Sequence, residues 1–382
     1  MINAPRPAIL HCHSTFSLGG KEARAVRLMN AFGDRLRHTI LSAMPDQMGA
    51  RTAIDPALSV DFPDEHRAPT LYGKPNPVRY LALGRYFQNF DLILSYNWGS
   101  MDAVMAHRLL SPFMPLPPLI HHEDGFNADE NEKLNWKRSA FRRMGLPTAR
   151  HIVVPSHLLE ELVRREWGSG LQVERISNGI AVADYAVPPA ADAIPGFVRQ
   201  EGEVVVGTVA GLREVKDLPL LVDALALTDA HVRLVIVGEG PDRDRIVARA
   251  AERGIGDRVH LAGFLPRPAS YVGLFDIMAL ASLSEQQPIA VMEGMAAGLP
   301  VVSPPVGDIA AMVAPSNHGC VVDRSATALA DALNRLARDA ALRQAIGQDN
   351  RLKAQREFDE GVMIRRYAGL YADAMARPGL LD

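Results

Sequence analysis

Glu285 and Glu293 stand eight residues apart in the stretch Ser282–Gly307, SLSEQQPIAVMEGMAAGLPVVSPPVG. Each carboxylate accepts at least two hydrogen bonds and so suits a pair of hydroxyl groups. The apolar run Ile277–Ala281 predicts a strand that leads into the loop carrying Glu285. Pro288 suits the first turn of a helix, which puts Glu293 about one and a half turns in, ahead of a second strand from Pro300. A helix start offers unpaired N–H groups and a partial positive charge, a seat for phosphate. The two carboxylates then sit at different depths along one ligand. A nucleotide sugar makes demands in that order: sugar hydroxyls, diphosphate, ribose hydroxyls.

Other segments bring matching chemistry. Val206–Asp217, VGTVAGLREVKD, follows a strand and places Arg213 and Lys216 at a turn. Two cations beside a helix start can neutralise a diphosphate and stabilise it as a leaving group. In HSTFSLGGKE, residues 13–22, Gly19 and Gly20 stand between a strand end and a helix, where glycine lets the backbone approach a ligand closely. The run His121-His122-Glu123-Asp124-Gly125 closes another strand. Such a polar cluster is costly to bury without partners. Neighbouring strand residues face opposite ways, so one histidine of the pair is expected to face a ligand. His122 is preferred, with Glu123 and Asp124 beside it. The spacing matches no metal-ligand motif.

Placing these residues takes many short strands. Apolar runs predict strands at Ala8–His13, His38–Ser42, Leu92–Tyr96, Leu119–His122, His151–Pro155 and Val173–Ile176, with amphipathic stretches between them. A second series follows at Glu203–Ala210, Val232–Val237, Val259–Leu261, Ile277–Ala281, Pro300–Ser303 and Gly319–Val322. Helices are predicted among them, including Glu130–Met144 and Pro268–Leu274. Strand–helix alternation means parallel sheets covered on both faces, and here it occurs twice. The Ala- and Pro-rich segment after Asn178-Gly179 predicts a linker over 183–200. The expected architecture is α/β, two doubly wound halves facing a cleft, with ligands beyond the carboxyl ends of the strands. At the end of the chain, Phe358-Asp359 predicts a capped helix start. Met363, Tyr367, Leu370, Tyr371 and Ala374 form its apolar stripe.

The E-x7-E pair and the following Gly294-Met295-Ala296-Ala297-Gly298-Leu299-Pro300-Val301-Val302 resemble the retaining glycosyltransferases of family 4, which have the GT-B fold of two Rossmann-like domains. The resemblance is to the type of sugar transferase that builds bacterial cell-surface polysaccharide. It implies that Glu285 contacts the donor sugar and Glu293 the ribose. The family usually has Gly-Phe-Gly after the first glutamate. Here Gln286-Gln287-Pro288 stands there, followed by Ile289; the resemblance implies that these four line the donor site, with Gln286 and Gln287 expected to contact the sugar, while Pro288 lacks one backbone donor. The family's Gly-Arg-Leu-x-x-x-Lys places its arginine where this chain has Gly211, so Lys216 carries over more securely than Arg213. Val235–Pro241 looks like the family's strand and turn. HLAGFL, residues 260–265, resembles a loop that meets the nucleotide base, which implicates Gly263 and Phe264. Gly19 and Gly20 match a segment facing donor phosphate. The family histidine that orients the reacting groups matches His122, with His121, Glu123, Asp124, Asn97 and Trp98 on the acceptor side. Asn178-Gly179-Ile180 resembles the turn closing the family's N-terminal domain, with Ala181 where Asp is common.

The resemblance therefore implies an acceptor domain over 1–182, completed by a crossover helix 359–377, and a donor domain over 201–358. It implies transfer from a UDP- or GDP-linked sugar to a glycan or lipid-linked acceptor, with retention, no metal and no cofactor. The rival readings are a nucleotide-sugar epimerase of the same fold and a catalytically silent sugar-nucleotide-binding protein. A dinucleotide dehydrogenase fits less well, because Arg243 stands where the third glycine of G-x-G-x-x-G would fall after Gly238 and Gly240.

Composition is that of an ordinary globular protein, not a disordered or fibrous one. The chain has 382 residues and a net charge of −3, which argues against a dedicated nucleic-acid binder. Two distant cysteines, Cys12 and Cys320, suit a reducing cytoplasm. No apolar run reaches the length of a membrane span, and the first residues do not read as a signal peptide. From Lys133 to Leu159 there are six basic residues (Lys133, Lys137, Arg138, Arg142, Arg143, Arg150) and no acidic one. On a helix Leu134, Trp136, Ala140, Phe141 and Met144 share one arc, so 133–150 is a candidate contact with the inner face of a membrane.

Overall fold

The structure, a computed structural model, describes residues 6–17, 19–125 and 134–382. The chain divides into two compact units, Met1–Ser177 with Met363–Asp382, and Asn178–Val362.

In the first unit seven parallel strands are β1 (Ala8–His13), β2 (Arg37–Ser42), β3 (Val60–Asp61), β4 (Leu92–Tyr96), β5 (Leu119–His122), β6 (His151–Val154) and β7 (Val173–Arg175). Their order is β3-β2-β1-β4-β5-β6-β7. Every residue of β1, AILHCH, and of β4, LILSY, is buried, as expected of strands covered on both faces. The helices are α1 (Gly20–Phe32), α2 (Pro77–Phe87), α3 (Met101–Leu110), α4 (Trp136–Gly145) and α5 (His157–Glu166). Asn76 caps α2 through the Arg79 N–H, with Pro77 in the first turn. Ser156 caps α5 in the same way. Of the predicted helix 130–144, residues 130–133 lie outside the described residues.

In the second unit five parallel strands are β8 (Val204–Val209), β9 (Val232–Val237), β10 (Val259–Gly263), β11 (Ile277–Ala279) and β12 (Val301–Val302), in the order β10-β9-β8-β11-β12. The helices are α6 (Leu218–Ala226), α7 (Arg243–Glu252), α8 (Ile289–Ala296), α9 (Ile309–Met312), α10 (Ala326–Arg338) and α11 (Ala340–Glu357). The last helix, α12 (Glu360–Ala374), begins where Asp359 accepts from the Gly361 N–H at 2.9 Å. Its stripe Met363, Tyr367, Tyr371 and Ala374 is buried with Phe32, Leu92, Leu94 and Tyr96 of the first unit.

Three expectations change. Residues 183–200 are part of the second unit rather than a linker. A 3-10 turn spans Val182–Ala186, and Val182, Ile194 and Phe197 sink into the core with Val205 and Met292. The Gly319–Val322 strand is instead a 3-10 turn, Pro315–Cys320, followed by a single bridge between Ser303 and Val321. Pro268–Leu274 forms two short 3-10 turns, not a helix.

The second unit's two ends are tied together. Ile180 N–H donates to Phe358 C=O at 2.9 Å, and Glu360 N–H donates to Ile180 C=O at 2.8 Å. Among the described residues no helix is long and apolar enough to cross a membrane.

Candidate functional site

The strand order of the second sheet reverses between β8 and β11, so the chain leaves these two neighbours in opposite directions. In open parallel sheets the crevice beyond the strand ends at that point is where ligands bind. The loop after β8 carries Arg213 and Lys216, and the loop after β11 carries Glu285. The structure joins them: Lys216 Nζ lies 2.6 Å from Glu285 Oε1. Ser282 Oγ donates to the same oxygen at 2.7 Å, a contact the sequence reading missed. Leu283 N–H donates to Val215 C=O at 2.8 Å and ties the two loops by their backbones. A cation and a carboxylate side by side can meet the junction of an anionic diphosphate and a polyhydroxyl ring.

The loop after β12 braces this pair. Asp308 N–H donates to Gln286 C=O at 2.9 Å. Gly307 has φ +58°, and a Cβ there would lie 2.4 Å from Glu285 C=O, so only glycine lets the loop come this close. Gln287 is buried, and its Oε1 accepts from the Asn178 N–H at 2.8 Å. Gln287 thus holds the Asn178-Gly179 turn, where a sugar contact was expected. Pro288 is the cap of α8, one residue earlier than its expected place in the first turn, and Ile289 follows as the first helical residue with its side chain exposed.

Glu293 sits in the second turn of α8 and is buried. Burial pushes its carboxyl up to about 7, while an interaction with the Tyr185 hydroxyl pulls the other way. Tyr185 belongs to the 182–186 turn that had been read as linker, and so it escaped notice.

Other expected residues lie near the strand ends without joining the pair. Arg213 is exposed and makes no ion pair among the described residues. Gly263 ends β10 with φ +75°, and its C=O accepts from the Gly238 N–H at 2.8 Å; the Phe264 side chain beyond it is exposed. In the first unit Gly19 caps α1, and both Gly19 and Gly20 are exposed.

The histidine pair is a correction. His122 was expected to face a ligand, and it is fully buried. Its Nε2 lies 3.0 Å from Tyr371 OH and its Nδ1 3.2 Å from Ser95 C=O, and its ring stacks on Tyr96 at 4.6 Å. The cover comes from α12, whose tyrosines close over the strand end. Burial holds the His122 ring well below its usual range, hence neutral. His121 and Glu123 face away from it and are equally buried. His121 Nδ1 lies 2.9 Å from Ser95 Oγ, and Glu123 pairs with Arg142 Nε at 3.3 Å. Asp124 is half-buried and forms a two-pronged ion pair with Arg24 at 2.5 and 2.8 Å. Asn97 accepts from the Asp124 N–H at 2.8 Å. Trp98 lines an open cavity.

The basic segment is also repartitioned. Arg142, counted among the basic residues of the candidate membrane contact, is fully buried, and Phe141 packs on the core. Trp136, Ala140 and Met144 share an exposed face of α4, with Lys137 and Arg143 exposed beside them. Leu134 is half-buried, and Lys133 lies outside the described residues.

Residues 192–353 match the family model of glycosyl transferases group 1. That stretch contains Arg213, Lys216, Glu285 and Glu293 and most of the second unit. Among curated proteins, the chain is 26% identical over 178 residues to N-acetyl-alpha-D-glucosaminyl L-malate synthase of Bacillus anthracis, covering 46% of this chain and 47% of that one. It is 27% identical over 311 residues to D-inositol 3-phosphate glycosyltransferase of Corynebacterium efficiens, covering 75% and 72%. The chain spans under half the length of several of the curated relatives it matches. Among solved structures, Anabaena Alr3699/HepE in complex with UDP superposes with a TM-score of 0.78 at 19% identity, covering 96% of this chain and 100% of that one. At that identity the likeness is one of fold: two Rossmann-like domains, as in GT-B glycosyltransferases.

Proposed function

We propose that the chain is a retaining glycosyltransferase of family 4. It moves a sugar from a nucleotide diphosphate donor, UDP- or GDP-linked, to a glycan or lipid-linked acceptor in cell-surface polysaccharide or glycolipid synthesis. The observation that carries this reading is the Lys216–Glu285 pair at the β8/β11 switch point, with Glu293 in the second turn of the adjoining helix. It lies inside the stretch matching group 1 glycosyl transferases.

In this reading Lys216, joined by Arg213, faces the diphosphate and meets the charge that grows on it as the bond to the sugar breaks, with no metal ion. Glu285 accepts from sugar hydroxyls and gives up its bond to Lys216 when the donor arrives. Glu293 accepts from the ribose. The C1–O bond to the diphosphate breaks, a C1–O bond to the acceptor hydroxyl forms, and the acceptor proton passes to a leaving phosphate oxygen. Retention follows from attack on the face that the leaving group vacates. His122 takes no part, because both its ring nitrogens are engaged away from solvent. The reaction belongs in the cytoplasm, and for a lipid-linked acceptor at the inner face of the membrane.

The test is a thermal-shift screen of UDP, GDP and ADP and their sugars, followed by turnover with and without acceptor. A bound nucleotide raises the melting temperature by mass action. UDP is the first to try, since HepE was solved with it. No stabilisation by any nucleotide would end the reading. Rapid interconversion of the donor sugar without acceptor would favour an epimerase.

A further inference from the structure

The first sheet also reverses its order, between β1 and β4. Beyond those strand ends lies a cavity of about 680 Å³, lined by Ser14, Met44, Tyr72, Lys74, Trp98 and Lys137 among others. Ser14 follows β1, Met44 follows β2 and Trp98 follows β4, so the cavity occupies this sheet's own switch-point crevice. Its walls are mainly apolar and aromatic. We infer that this cavity, on the domain where the resemblance already puts the acceptor, takes an acceptor sugar that carries a phosphate or carboxylate. The inference rests on the transferase reading for the word acceptor, and on the cavity alone for the class of ligand.

Three observations support it. First, Trp98 is a fixed plate. Its ring meets Phe141 edge-on at 5.6 Å, with the Arg138 and Arg142 guanidiniums 5.4 and 5.2 Å from it. A Cβ on the next residue, Gly99, would lie 2.1 Å from Ser14 Cβ, so glycine lets this turn press against the end of β1 and holds the indole in place. A rigid aromatic surface suits the apolar face of a sugar ring. Tyr72, largely exposed across the cavity, offers a second such surface.

Second, the rim is cationic. Lys74 and Lys137 are exposed and make no ion pair among the described residues. Third, the cavity's carboxylate is already spent. Asp102 is bound by the Arg79 guanidinium and accepts from Tyr80 OH at 2.8 Å. What remains for a ligand is an aromatic platform edged by two ammonium groups that make no ion pair among the described residues. A neutral sugar would use the platform and leave the ammoniums idle. A sugar phosphate or a uronate would use both.

The test is titration of the full chain, with UDP present to fill the nucleotide site, by tryptophan fluorescence and calorimetry. The probes are glucose 1-phosphate, glucuronate, methyl α-glucoside and inorganic phosphate. Glucose 1-phosphate or glucuronate should bind at least about tenfold more tightly than methyl α-glucoside, and the two arms tell phosphate from carboxylate. Lys74→Ala with Lys137→Ala, both at exposed positions, should abolish that preference and leave UDP binding unchanged. Trp98→Ala should weaken every sugar probe. Equal binding of charged and neutral sugars, a preference that survives the double substitution, phosphate binding as tightly as its sugar ester, or no saturable binding would each overturn the inference. Loss of UDP binding in the unsubstituted protein would instead strike at the transferase reading and leave the cavity result standing.

Discussion

Glu285 accepts hydrogen bonds from two partners at once, Lys216 and Ser282, and so is held ready in one orientation. Glu285→Ala should reduce turnover by about 10- to 150-fold, the worth of one hydrogen bond to a charged group. UDP binding should change little, because the sugar rather than the nucleotide loses its partner; calorimetry with UDP alone separates the two. Glu293 makes a different prediction. Its carboxyl is pushed up to about 7, so near neutral pH it is part protonated and a poorer acceptor for ribose hydroxyls. UDP affinity should rise between pH 6 and 8, and Glu293→Gln should flatten that rise. The sign for stability is opposite. An acid whose folded-state value is raised favours folding while protonated, and that advantage is lost as pH climbs from the ordinary carboxylate range through 7. Glu293→Gln should therefore raise the melting temperature at pH 8 and change it least at pH 4, below the ordinary carboxylate value.

Elements set these side chains, and the clearest case is α12 over β5. Tyr371→Phe removes the partner of His122 Nε2 and leaves a buried ring nitrogen unsatisfied. Urea unfolding should show a loss of about 1–3 kcal/mol. Turnover per folded molecule should persist. Sequence alternation correctly put His121 and His122 on opposite faces of β5. It carried no sign that both faces are covered, because one cover, α12, lies about 250 residues along the chain and the other is the Arg142–Glu123 pair. The helix α11 escaped for a related reason. Its buried stripe is Ile346, Asn350 and Ala354, and the middle member is polar. Asn350 bonds to Ala314 N–H, Leu299 C=O and Asn317, a role its residue type does not announce. Ile194 and Phe197 sit among alanines and prolines with no period to mark them as core. The Glu285–Glu293 region was legible because strand, turn, helix and carboxylates follow one another within 26 residues. The Gly307 brace was not, since it depends on a close approach of two loops.

At the scale of the molecule, the surface of α4 gives the next prediction. Trp136, Ala140 and Met144 present an apolar stripe beside Lys137 and Arg143. Anionic vesicles should sediment the protein at low salt and neutral ones should not, with each cation near the surface worth about 1 kcal/mol. Trp136→Ser, Met144→Ser and Arg143→Gln together should abolish the effect. Arg142 is the wrong target, being buried in ion pairing with Glu123. Capture by anionic vesicles that persists in the triple variant would place the contact elsewhere. The two ends of the second unit, knotted at Ile180, Phe358 and Glu360, have a consequence of another kind. A segment that leaves its host chain and returns at adjacent points behaves as a cassette. It can be lifted out and replaced by its counterpart from a relative with both seams cut at one place; on the proposed transferase reading the graft would change which donor is used while the host kept its acceptor.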